Sequence, residues 1–139
     1  MCLDATVFLI EDDVAVRDAI SISLRMAGLI VEDYSSGKVF LEACNADRQG
    51  CVLINLSQCE IGGLRMQQEL IRRNVLTPII LMTEIGMIQD YLPTMQAGTF
   101  FLLEKPFSRS LLLESICAAM EQGYRNSSVI NAQAGTDDF

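Results

Sequence analysis

The chain has 139 residues, half of them hydrophobic, and its 10 basic and 18 acidic side chains give a net charge of −8. This length and composition fit one domain with a proper core and do not fit global disorder. The acidic balance would repel a phosphate backbone, so we expect no direct nucleic-acid binding by this domain. No apolar run approaches the ~18 residues of a membrane span and no leader opens the chain, so we expect a cytoplasmic protein.

Histidine is absent, and cysteine occurs five times without a C-x-x-C pair. Without histidine there is no histidine general base, no Ser-His triad and no histidine zinc ligand. An odd number of cysteines in a cytoplasmic protein favours reduced packing residues. We therefore expect the following side chains to be free thiols: Cys2, Cys44, Cys51, Cys59 and Cys117.

The first part of the chain alternates apolar, β-favouring runs with helical patterns. Thr6–Ile10 predicts the first strand, and Asp13 is a good N-cap for a helix that Gly28 ends. Residues 29–34 predict a second strand, which turns at 35–37 into a second helix. Two strand–helix units are thus expected before residue 44.

The third strand is the most informative stretch of the sequence. Residues 51–54 form a short apolar run that stops at the polar Asn55, which is typical of a strand buried on both faces. We expect Val52 and Ile54 on one face of the sheet and Leu53 on the other. The remaining predicted elements are a third helix at 64–73, a fourth strand at 78–82, a fifth strand at 99–103 and a last helix capped by Ser108.

The segment between the fourth and fifth strands fits the alternation less well. Pro93 lies inside its apolar stretch, and proline is tolerated only in the first turn of a helix. It also disfavours helical backbone at Leu92, which precedes it. We therefore expect a short fourth helix starting near Asp90, and no regular helix before Gln89.

Strands that alternate with helices predict right-handed crossovers and a parallel sheet covered on both faces. Five units fit a doubly wound α/β fold, a flavodoxin-like sheet of order 2-1-3-4-5. We expect this domain at residues 1–123 and a polar linker or tail at 124–139. Several polar side chains would then converge at the carboxyl ends of the strands, namely Glu11, Asp12, Asp13, Asn55, Thr83 and Lys105.

These convergent side chains suit phosphoryl transfer onto a carboxylate, except that the nucleophile is missing. The carboxylates of Glu11 and Asp12 suit a hard cation such as Mg²⁺. Lys105 could hold a phosphoryl oxygen, and the Thr83 hydroxyl could hydrogen-bond it. The residue at the centre of the group, Asn55, carries no negative charge.

Several motifs at and between these strands make residues 7–121 resemble the receiver domains of two-component response regulators. The matching residues are Glu11-Asp12, Gly63, Thr83, Ala97-Gly98 and Glu104-Lys105-Pro106-Phe107. The resemblance implies a receiver fold, a cis peptide bond before Pro106, and an acidic pocket of Glu11, Asp12 and Ser57. It implies no required cofactor, with weak Mg²⁺ binding at most.

The departures from the family pattern concern its chemistry. Asn55 stands where the family has its phosphate-accepting aspartate, and an amide cannot form a stable acyl phosphate. Gln58-Cys59 replaces the usual Met-Pro, and Leu102 stands at the position of the aromatic switch residue. The resemblance therefore implies an atypical receiver, not an enzyme, that acts by protein–protein contact without phosphorylation.

The resemblance also implies partners. These are a kinase, an output domain, or a second copy bound through the fourth helix, the fifth strand and the fifth helix. The Glu-Lys-Pro-Phe motif at 104–107 looks most like that of receivers attached to helix-turn-helix transcription factors. Not all of the apolar side chains of the fourth helix can point inward, which favours an interface. They are Met87, Ile88, Tyr91 and Leu92.

Simpler interpretations exist for the same residues. Residues 11–13 could be a solvated helix start, and Lys105 could be an ion-pair partner of Asp12. Thr83 could be a hydrogen-bonding group at a strand end, and Asn55 either a satisfied buried amide or a mimic of a charged or phosphorylated state. Two other functions are also open: a flavodoxin-type nucleotide or flavin binder, and a phosphatase-type hydrolase that uses Asp12 as its nucleophile.

Overall fold

The computed structural model describes residues 6–43, 50–55, 68–70, 72–73, 77–86 and 99–122. Its elements are β1 Thr6–Ile10, α1 Val14–Met26, β2 Ile30–Tyr34, α2 Gly37–Ala43, β3 Gly50–Asn55, β4 Ile79–Thr83, β5 Thr99–Glu104 and α3 Arg109–Gln122. Residues 68–70 and 72 are also helical, within the predicted third helix. The predicted fourth helix, Ser57 and the segment 124–139 lie outside the described residues.

The five strands form one parallel sheet of order β2-β1-β3-β4-β5, which confirms the predicted topology. β1 pairs along its whole length with β2 on one side and with β3 on the other. The carboxyl ends of β1 and β3 therefore lie side by side, and Asn55 is opposite Met82 of β4. This is the point where the strand order reverses and where such sheets hold their functional sites.

Both faces of the sheet are buried, as expected for parallel strands with helices on either side. Leu53 belongs to the core on the side of α1 and α3, whereas Val52 and Ile54 belong to the core on the side of α2. None of these three β3 residues is more than 2% exposed. The alternation predicted for β3 is confirmed. Within the described ranges, no helix combines the length and apolar character needed to cross a membrane.

Truncating Leu53 to alanine should lower the free energy of unfolding by about 2–5 kcal/mol, since it removes buried methyl groups and leaves a cavity. The matched control is Ile22→Ala on α1, where the side chain is 56% exposed and the expected loss is about 0.5 kcal/mol or less. Urea denaturation followed by circular dichroism measures both values. Equal losses for the two variants would contradict the assigned burial of β3.

The helix ends carry the caps that the sequence predicts. The Asp13 side chain accepts the Val16 N–H at 3.1 Å, and α1 begins one residue after this N-cap. Gly28 has φ +93° directly after the C-cap residue of α1, a conformation that glycine adopts without a Cβ clash. At α3 the Ser108 hydroxyl accepts the Leu111 N–H at 3.0 Å. Both predicted N-caps, and the stop at Gly28, are confirmed.

β5 is irregular where it pairs with β4, in a way that the sequence does not indicate. Ile79 pairs with Thr99 but Ile80 pairs with Phe101, so β5 contains one extra residue at this point. Such a bulge shifts the register of all following pairs by one residue. As a result Leu102 is fully buried in the core on the side of α2.

The described cysteines differ from each other in redox state. Cys51 is a free thiol with no exposed surface, and this burial raises its pKa to about 12. Cys117 on α3 is disulfide-bonded, so the expectation of five reduced cysteines is wrong for this residue. Sequence spacing does not reveal it, because a disulfide depends on which distant segments the fold brings within bonding distance.

Cys51 should resist alkylation in the folded protein. Thiolate is the reactive form, and burial both disfavours it and blocks access of the reagent. Treatment with iodoacetamide at mildly alkaline pH, followed by peptide mass mapping, should leave Cys51 unmodified without denaturant and modified in concentrated urea. Rapid labelling of the native chain would show that β3 is more open than its burial indicates.

Candidate functional site

The three consecutive acids after β1 have three different environments. Glu11 is only 3% exposed, Asp12 is exposed to solvent, and Asp13 is the N-cap of α1. The interpretation of this turn as a helix start is therefore correct for Asp13. Glu11 is the one carboxylate of the three that lies buried at the end of the sheet.

Four hydrogen bonds hold Glu11 in place. Its main-chain N–H donates to the Tyr34 carbonyl at 3.1 Å, and its carbonyl accepts from the Arg17 guanidinium at 2.8 Å. One carboxylate oxygen, Oε2, accepts the Asp13 N–H at 3.0 Å. The other, Oε1, accepts from the side-chain amide of Asn55. With both its oxygens engaged, this buried carboxylate has a fixed position.

Asn55, the last residue of β3, connects the acidic and the basic side of the crevice. Its Nδ2 donates to Glu11, and its Oδ1 accepts from the Lys105 ammonium at 3.2 Å. The amide suits this place because it presents donors to an anion and an acceptor to a cation at the same time. The predicted convergence of these three side chains is observed.

Lys105 lies between two acceptors. Its ammonium contacts Asn55 and lies 3.6 Å from the Glu84 carboxylate, while its main-chain N–H donates to the Thr83 carbonyl at 2.8 Å. The proposed ion pair with Asp12 is therefore wrong, because Lys105 turns toward β3 and β4 and pairs with Glu84. The peptide bond between Lys105 and Pro106 is cis, as the resemblance implies.

Two further predicted site residues are placed by the sheet. Thr83 ends β4 and is 1% exposed, so it lies at the same edge as Asn55. Leu102 lies in the core, paired with Leu81 of β4, and an aliphatic side chain there offers no polar group to the site. Ser57 falls outside the described residues.

The donor set fits Mg²⁺ poorly. Mg²⁺ prefers oxygen ligands in octahedral geometry, yet Glu11 already accepts two hydrogen bonds and Asn55 Oδ1 faces an ammonium. In the ranges that the structure describes, no group of three or more acidic or cysteine side chains is placed to hold a metal ion. The expectation of weak Mg²⁺ binding stays a prediction, and these contacts do not favour strong binding.

Three residues near the site were given no role of their own at the level of sequence, although Glu104 was recognised as part of the motif at 104–107. Arg17 anchors the turn after β1 through the Glu11 carbonyl, Glu84 pairs with Lys105, and Glu104 accepts the Gly86 N–H at 2.6 Å. Glu84 and Glu104 could have been suspected, since each adjoins the carboxyl end of a predicted strand. Arg17 lies on the first turns of a helix and has no such signal.

The sequence model of the response regulator receiver domain matches residues 7–117. The chain is 33% identical to the transcriptional regulatory protein TdiR of Thauera aromatica over 116 residues, which is 84% of this chain and 51% of TdiR. It is 31% identical to the transcriptional regulatory protein FixJ of Azorhizobium caulinodans over 121 residues, 84% of this chain and 57% of FixJ. The crystal structure of FixJ-N superposes with a TM-score of 0.78 at 28% identity, covering 85% of this chain and 94% of that one.

The chain thus spans about half the length of the curated relatives it matches. The family match, the relatives and the fold all favour a receiver domain over the two alternatives, a flavin or nucleotide binder and a phosphatase-type hydrolase. Both relatives are named as transcriptional regulatory proteins. By its sequence and its sheet topology, this chain belongs to the response regulator receiver domain family.

Proposed function

We propose that this chain is an atypical receiver domain that acts in signal transduction by protein–protein contact, without aspartate phosphorylation and without enzymatic activity of its own. The observation that carries the proposal is the bridge from Glu11 through Asn55 to Lys105. The proposal takes Asn55, the last residue of β3, as the equivalent of the family's phosphate-accepting aspartate. The bridge joins a buried carboxylate to an ammonium through a neutral side chain.

The chemistry of the amide supports this proposal. Transfer of a phosphoryl group needs an activated nucleophile, which a neutral amide oxygen is not. Asn55 Oδ1 is also occupied by the Lys105 ammonium, the group that would otherwise meet the incoming phosphoryl oxygens. We propose that a bound partner, and not phosphorylation, changes the state of this site.

The proposed partners follow from the relatives. Because those relatives are regulators of transcription about twice as long as the match, we propose that this domain controls an output domain of that kind. A kinase or a second copy of the chain is the other proposed contact. The segment 124–139 is proposed to be a linker or tail, and the cytoplasm is the proposed location.

Incubation of the wild-type chain with Mg²⁺ and a small acyl-phosphate donor tests the proposal. Intact-mass measurement should show no phosphoryl adduct, since Asn55 supplies no carboxylate. A receiver domain that has an aspartate at the acceptor position serves as the control for donor activity. A phosphoryl group on the wild-type chain would overturn the proposed mechanism.

A further inference from the structure

Three polar contacts attach the last residue of β4 and the turn that follows it to the last residue of β5 and to Lys105. The Lys105 N–H donates to the Thr83 carbonyl at 2.8 Å, and the Gly86 N–H donates to Glu104 Oε2 at 2.6 Å. The third contact joins the Lys105 ammonium to Glu84 Oε2 at 3.6 Å. Two of the three contacts use Lys105, which also reaches Asn55.

The third contact gives the Lys105 ammonium a negatively charged partner. Asn55 offers only a neutral oxygen, and Glu11 is reached through the amide. Among the described residues, Glu84 is the carboxylate that forms an ion pair with Lys105. The Lys105 side chain is 21% exposed, so its charge is partly desolvated and gains from a counter-ion.

We propose that Glu84 is an internal counter-ion for Lys105, and that this pair couples residue 55 to the position of the turn at 84–86. The proposal rests on the proposed function and deepens it. It explains how the positive charge of Lys105 is balanced in a site without phosphorylation. The Lys105 ammonium contacts both Asn55 and Glu84. A stronger acceptor at position 55 draws it away from Glu84 and loosens the turn.

Glu84 is a positioning residue in this scheme, since it acts through Lys105. The turn it holds carries Ile85, which is 71% exposed. Because Glu84 is itself 50% exposed, the pair is worth little in stability but enough to change local opening a few-fold. Solvent exchange of the Gly86 amide, measured by NMR on the labelled full chain, reports that opening directly.

The first arm of the test compares the wild type with Glu84→Gln, which keeps the shape and removes the charge. Exchange of the Gly86 amide should become roughly threefold faster in the variant. Added salt should accelerate exchange in the wild type, because a partly exposed pair is screened, and should have little effect in Glu84→Gln. Glu114→Gln on the exposed side of α3 makes the same charge change and should behave as the wild type.

The second arm adds Asn55→Asp, whose carboxylate offers Lys105 a charged acceptor. In the wild-type background this change should accelerate Gly86 exchange roughly threefold, and in the Glu84→Gln background it should add almost nothing. Equal acceleration in both backgrounds, or no effect of Glu84→Gln at low salt, would overturn the coupling. No phosphodonor is used, so a phosphoryl adduct on the wild type would refute the proposed function and leave this result unaffected.

Discussion

The Asn55→Asp variant is expected to take up one phosphoryl group from a small acyl-phosphate donor in the presence of Mg²⁺. The substitution supplies a carboxylate nucleophile at a point where Lys105 lies 3.2 Å from the present side-chain oxygen and Glu11 is in direct contact. The product should be an acyl phosphate, recognised in intact-mass spectra and lost on treatment with hydroxylamine. Asn55→Ala, which removes the amide without adding a nucleophile, is the matched control and should remain unmodified.

The same variant should also become dependent on Mg²⁺ for stability. The new carboxylate would face the buried Glu11 where an amide now donates a hydrogen bond, so two negative charges would meet at a partly buried position. Without Mg²⁺ we expect Asn55→Asp to lose about 1.5–3 kcal/mol in free energy of unfolding, and to regain most of it when Mg²⁺ is added. The wild type should show little change under either condition.

Two outcomes would count against this account of the site. An unreactive Asn55→Asp would mean that the pocket has diverged from a phosphorylatable receiver by more than one residue. A wild type that gains as much stability from Mg²⁺ as the variant would contradict the poor fit of its donor set. Uptake of the phosphoryl group without a change in partner binding is compatible with the structure, because Leu102 is an aliphatic residue buried in the core.

The Gly50→Ala variant is expected to lose at least ~4 kcal/mol of stability, enough to unfold a marginal domain. Gly50 begins β3 with φ +148° and lies directly against β1. A Cβ at this position would overlap the carbonyl oxygen of Thr6 and lie 2.8 Å from its carbonyl carbon. The clashing atoms belong to the backbone of β1, which is paired on both sides, so they cannot move aside without breaking the pairing of β1 with β3.

Gly28→Ala separates this clash from the cost of the backbone conformation. Gly28 also has a positive φ, +93°, but an added Cβ there meets no atom within 4 Å. The expected loss is about 1 kcal/mol, from left-handed backbone strain alone. Urea denaturation of the two variants gives the comparison, and similar losses would show that β1 and β3 tolerate separation at their amino ends.

The fold could be predicted from the sequence because its signals are local. Apolar runs of strand length, N-caps such as Asp13 and Ser108, and a stop signal at Gly28 depend on neighbouring residues. Alternating elements then leave a parallel sheet with right-handed crossovers as the favoured arrangement. Most residues of the site could be predicted for the same reason, because the carboxyl ends of parallel strands lie on one edge of the sheet.

The roles of the side chains within that site were decided by tertiary structure. Sequence order does not reveal that Glu11 is buried while Asp12 is exposed, or that Lys105 pairs with Glu84 and not with Asp12. Each of these outcomes depends on which side chains from elsewhere in the chain pack against a strand end. Such packing joins segments that are far apart in sequence, and no local pattern encodes it.

The same distinction applies to the backbone. Sequence alone predicted where β3 runs, that Val52 and Ile54 share one face with Leu53 on the other, and that the strand ends in an amide without nucleophilic character. The close approach of Gly50 to Thr6, the extra residue in β5 and the disulfide at Cys117 were decided only when the strands and helices packed together. The physical reason is that these features are contacts between segments distant in sequence, whereas hydrophobic periodicity and caps are properties of each segment by itself.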